Sequence, residues 1–81
     1  MTTKKRKAII ACAMNLMYSY DDWLDAEYED ECNDAKREYD WRLHYLSELT
    51  GISQYILASA LGKRDGYTYD LEWLRDLGVE I

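Results

Sequence analysis

Proline and phenylalanine are absent from these 81 residues, and no glycine occurs before Gly51. Without those breakers the first fifty residues read as helical almost throughout, and any boundary among them must come from capping residues. The two cysteines, Cys12 and Cys32, are too few for a disulfide framework. No hydrophobic run is long enough for a secretory signal or a membrane span. Together these absences predict a protein of a reducing compartment, the cytoplasm, without a membrane partner.

Chemistry is equally sparse. His44 is the single histidine, four residues after Asp40 and four before Glu48, a spacing that suits a surface ion pair on a helix. Cys12, Cys32 and His44 are too dispersed for a structural zinc site, and Cys12 falls in the most apolar stretch of the chain. No phosphate-cradling glycine loop, nucleophile elbow or helical Glu-x-x-His iron ligand occurs. A calcium loop begun at Asp25 would place Glu27 and Glu29 correctly, but Asp30 takes the glycine position and Lys36 the final glutamate position. The expectation is therefore no enzyme, no catalytic residue, no metal and no cofactor.

What the chain does have is clustered negative charge. The net charge of −6 divides into plus four over residues 1–20, minus eight over 21–34, zero over 35–62 and minus two over 63–81. The eight acids are Asp21, Asp22, Asp25, Glu27, Glu29, Asp30, Glu31 and Asp34, with Trp23 and Tyr28 among them and no lysine or arginine. Such a run either faces water or meets a strongly basic surface that relieves its repulsion. Lys4, Lys5, Arg6 and Lys7 form a basic block, expected to be a mobile start over residues 1–7. Eight tyrosines and three tryptophans supply the aromatic content, so large apolar groups here carry polar handles suited to interfaces.

Periodicity predicts one small all-α domain of about four helices. A chain of this size buries only about 60% of the surface its unfolded form exposes. Ala8 to Tyr18 is apolar nearly all round, as in a largely buried helix. Ser19 with Asp22 three residues on has the pattern of a capping box and marks a new helix start near residue 20. From there an apolar stripe runs Tyr20, Leu24, Tyr28, Cys32, Ala35, Tyr39, Leu43, Leu46 and Leu49 in steps of three or four. It fits either one acidic helix over 20–49, roughly 45 Å long, or a pair broken near Asn33 and Asp34. On one helix, the pairs Asp21 with Asp25, Asp25 with Glu29, Glu27 with Glu31 and Asp30 with Asp34 would cost on the order of 1 to 2 kcal/mol in total. Ser53 can cap a short helix ended by Gly62, and residues 63–69 form a turn with Gly66 to Tyr69 as a short strand candidate. Thr68 or Asp70 then caps a last helix over 68–78, closed by Gly78, with Val79 and Ile81 packing back. The aromatic stripe could also pair with a copy of itself in a homodimer.

Two resemblances follow from these residues. In size and composition, over about residues 20 to 40, the chain resembles the small acidic DNA-mimic proteins that phages use against restriction and CRISPR systems. That likeness implies an inhibitor in the host-cell cytoplasm. Its partner would be a larger protein with a basic nucleic-acid-binding surface, met by Asp21, Asp22, Trp23, Asp25, Glu27, Tyr28, Glu29, Asp30, Glu31 and Asp34. Residues 46–61, with Leu46, Ser47, Gly51, Ile52, Leu57 and Ala60 at the expected places, resemble a helix-turn-helix core. This alternative implies a transcriptional regulator binding DNA through Ser53, Gln54, Tyr55 and Ser59, with Lys63 and Arg64 on phosphate. Against that pattern, Thr50 stands where the family usually has an apolar residue, and Ser53 to Leu61 carries no basic residue.

Overall fold

A computed structural model describes residues 2–64 and 68–81. Four helices follow in order, α1 (Thr3–Asp25), α2 (Glu29–Thr50), α3 (Gln54–Gly62) and α4 (Glu72–Arg75), and the described residues contain no strand. The expected all-α domain of about four helices is therefore what the chain forms. Part of the predicted connector around Gly66, and with it half of the strand candidate, lies outside the described residues; Thr68 and Tyr69, its other half, form no strand.

α1 and α2 form an antiparallel hairpin on which α3 and the C-terminal segment pack, in a body of about 40 × 22 × 20 Å. Ile9, Leu16, Met17, Leu46, Leu57, Leu61 and Leu74 are its fully buried large side chains. At about 20–33 cal/mol per Å2 of apolar surface buried, each contributes roughly 1.5–3 kcal/mol. Cys12 is part of this core and donates to the Arg42 carbonyl at 3.4 Å. Burial pushes its thiol pKa up and Arg42 only partly opposes this, so it is a poor nucleophile.

Three expectations about the first half of the chain are corrected. The basic block is helical where an irregular start was expected: Thr2 Oγ1 accepts from the Lys5 amide at 3.2 Å and caps α1, so Lys4 to Lys7 occupy its exposed first turns. No helix starts at residue 20, because Ser19 turns its hydroxyl back onto the Asn15 carbonyl, 2.9 Å away, and lets α1 continue. The break falls at residues 26–28 and not at Asn33 and Asp34, which lie inside α2. That position separates Asp25 from Glu29 and Glu27 from Glu31, and it puts Glu29, Asp30 and Glu31 in the first turn of α2, where the helix dipole favours them. The break also shifts the phase of the stripe. Tyr39, Leu43 and Leu46 are buried as expected, whereas Leu24 and Tyr28 are exposed.

The α2–α3 junction follows its sequence signals closely. Gly51 adopts the left-handed conformation (φ 75°) and its amide closes on the Ser47 carbonyl at 2.8 Å. Ser53 caps α3 by accepting from the Ile56 amide at 3.3 Å. Thr50 fits its place because its hydroxyl donates to the Leu46 carbonyl (2.9 Å) and accepts from the Ile52 amide (3.2 Å). Gly62 ends α3 without a positive φ, unlike Gly78 (φ 90°), which follows α4. The last helix is one turn, Glu72–Arg75, in place of the expected 68–78. Neither Thr68 nor Asp70 is its N-cap; Leu71 is, and Asp70 Oδ1 accepts from the Glu72 amide at 3.1 Å. Val79 is buried and Ile81 packs on the core, as the apolar tail predicts.

Candidate functional site

The acidic run occupies the elbow where α1 turns into α2. Asp22, Asp25, Glu27, Glu29, Asp30, Glu31 and Asp34 are all exposed around it. Asp34 Oδ1 lies 3.6 Å from Arg37 Nη2, an exposed pair of small energetic weight. Between these acids Leu24 is 60% and Tyr28 68% exposed, so the elbow presents two large apolar side chains inside a negative field. Tyr28 is the N-cap residue of α2 and makes no side-chain capping bond.

Two of the expected partner-binding residues face inward. Trp23 is half-buried, with its ring centroid 5.3 Å from Tyr39 and 6.3 Å from Tyr20, and so packs the hairpin's inner side. Asp21 is buried. Its carboxylate accepts from Arg64 Nη2 through Oδ1 and from the Tyr69 hydroxyl through Oδ2, the latter at 2.8 Å. Only 7% of the Asp21 side chain and 5% of the Arg64 side chain reach solvent. Arg64 Nη1 also donates to the Thr68 carbonyl at 2.7 Å, so one guanidinium joins α1, the end of α3 and the C-terminal segment.

In this arrangement Arg64, expected on phosphate, has its charge facing Asp21. Gln54 is similarly engaged: its side-chain amide lies 3.0 Å from His44 Nδ1, while His44 Nε2 is 3.0 Å from Glu48. Asp40, the other acid expected beside His44, instead pairs with Lys36 at 3.6 Å. Ser53 is occupied as a cap, which leaves Tyr55, Ser59 and Lys63 as exposed members of the supposed DNA-reading set. Sequence reasoning missed the Asp21–Arg64–Tyr69 cluster because its members are 43 and 48 residues apart and no periodic signal links them.

The same cluster sets a titration. The Tyr69 phenol is pushed above its ordinary pKa, first by its hydrogen bond to Asp21 and further by desolvation. Burial raises Tyr39 as well, helped by Tyr20 and Asp40. Raised phenol pKa values mean that the folded state favours the protonated form. Their contribution to stability is present below the unfolded value of about 10 and is lost as pH rises through the folded values. Ultraviolet titration of tyrosinate should show late-ionising tyrosines in the folded protein, one of them removed by Tyr69→Phe. A Tyr69→Phe curve identical to that of the parent would contradict the hydrogen bond.

Among the described residues, no three His, Cys, Asp or Glu side chains converge on a common point where a metal ion could sit. No described helix is long and apolar enough to cross a membrane. No protein-family model, curated protein or solved structure matches the chain.

Proposed function

We propose that this chain is a small binding protein whose acidic elbow occupies the basic, nucleic-acid-binding surface of a larger partner protein and blocks it, as a phage-type inhibitor of the anti-CRISPR or anti-restriction kind would. The observation that supports the reading is the set of seven exposed carboxylates held around a turn between two packed helices, with Tyr28 and Leu24 exposed among them. Like charges gathered on a fixed scaffold repel one another, and binding a cationic groove converts that repulsion into attraction and faster encounter. Tyr28 adds an aromatic face on which arginine can stack. Reading of DNA by residues 53–64 is less well supported, because Arg64 is buried against Asp21 and Lys63 is left as the exposed cation there.

The test begins with a partner recovered by pull-down from the native cell and then purified. The chain should release nucleic acid from that partner. The triple variant Asp25→Asn, Glu29→Gln, Asp30→Asn should bind it roughly ten- to a hundredfold more weakly, at about 0.5–1 kcal/mol per exposed carboxylate, and with a flatter dependence on salt. An unchanged salt slope would remove the elbow from the interface. A gel shift with random duplex DNA at low salt, sensitive to Lys63→Ala, would favour the transcriptional regulator instead.

A further inference from the structure

A groove of about 610 Å3 separates the outer face of α3 from the C-terminal segment. Tyr55, Ile56 and Ala60 line its α3 side, and Trp73 and Leu77 its other side. Tyr55 is 83% exposed and Ile56 is also exposed, so large apolar side chains stand open to water at its mouth. Its rims are charged unequally. Asp70, Glu72 and Asp76 lie on the C-terminal side and Lys63 on the α3 side, while Arg64 is neutralised by Asp21, which leaves a net charge of minus two among the described residues. The volume is in the usual range for small-ligand clefts, room for one or two bulky side chains and too little for a whole helix.

We infer that this groove binds a short peptide segment of a partner protein that presents a bulky apolar or aromatic side chain flanked by lysine or arginine. The apolar group would lie between Ile56 and Leu77, and the flanking cations would face Glu72 and Asp76. Charge complementarity selects that occupant over an acidic peptide or a nucleic acid, both of which the rim would repel. Lys4 to Lys7 lead into Ile9, which is fully buried, so that run does not supply the apolar group. A second copy would offer Trp41, exposed beside Arg42, and is an outcome that the test below separates. The groove is separate from the elbow, and this inference does not rest on the inhibitory function proposed above.

The probe is a hexapeptide with leucine and tryptophan between paired lysines, titrated into the isotope-labelled protein while backbone resonances are followed. Saturable shifts are expected at Tyr55, Ile56, Asp76 and Leu77. They should vanish for a peptide with serines in the two central positions. Tyr55→Ala, at a surface position that leaves the core intact, and the pair Glu72→Gln with Asp76→Asn should each weaken binding about three- to tenfold. The triple elbow variant should bind the peptide as the parent does, which separates this site from the elbow. Shifts confined to the elbow, equal binding of the serine peptide, or no saturation into the millimolar range would overturn the assignment. Concentration-dependent shifts of the same residues without peptide would do so as well, since they would show the groove to be filled by a second copy.

Discussion

Asp21→Ala is expected to lower folding stability by about 3–5 kcal/mol, the range for breaking a buried ion pair by removing one partner. The change leaves the Arg64 guanidinium in a site with little access to water and removes the acceptor of the Tyr69 hydroxyl. A chain of this length has a total stability of roughly 4–12 kcal/mol at the usual 0.05–0.15 kcal/mol per residue, so the variant would retain a fraction of it or unfold. Asp21→Asn keeps an acceptor for Tyr69 while deleting the charge, and should fall between parent and alanine variant in urea unfolding. The double variant Asp21→Leu, Arg64→Met exchanges the pair for apolar volume and should recover most of the loss. A cost below about 1 kcal/mol for Asp21→Ala would mean that the pair behaves as an exposed one, contrary to its burial.

Asp21 also shows where sequence reading stops. In the linear sequence it is the first of eight similar acids, and only its tertiary partners distinguish it from Asp22, which is exposed. Local signals were reliable where one residue type has one physical use. Gly51 takes the positive φ that closes α2, Ser53 caps α3, and Leu46 and Leu57 fill the core between them. They failed where two local bonds compete, as at Ser19, whose hydroxyl can cap a new helix or bond back to the turn before it. The break after Asp25 carries no glycine or proline. Its position is instead rationalised by electrostatics, since it relieves acid pairs four apart and sets three acids on a helix N-terminus. Of the site, the exposed acids and Tyr28 were legible as a cluster, while the inward turn of Trp23 depended on the hairpin that packs it against Tyr39.

The same placement joins fold and proposed function. The acids that remain outward flank the helix break on both sides, so the feature that eases repulsion in the isolated domain is also what gathers charge at one end of it. An unbroken helix over 20–49 would have spread those carboxylates along a rod. The elbow concentrates them beside Leu24 and Tyr28, both exposed there.

Trp73→Ala is the second large effect expected, about 3–5 kcal/mol for truncating a buried tryptophan. α4 is a single turn, too short to persist on its own backbone bonds, so the C-terminal segment depends on side-chain anchorage. Trp73 is buried and its indole N–H lies 3.4 Å from Met17 Sδ on α1, and Leu74 beside it is fully buried. Removing the indole withdraws its contact with Met17 on the hairpin. The loss should be regional, with amide hydrogen exchange accelerating first over residues 71–79 while the α1–α2 pairing stays protected. Trp73→Phe retains most of the apolar area without the N–H and should cost clearly less. Exchange that speeds up uniformly through α1 and α2 would show that the segment and the hairpin unfold as one unit. Protection unchanged at residues 71–79 would show that Leu74 and Val79 hold the segment without the indole.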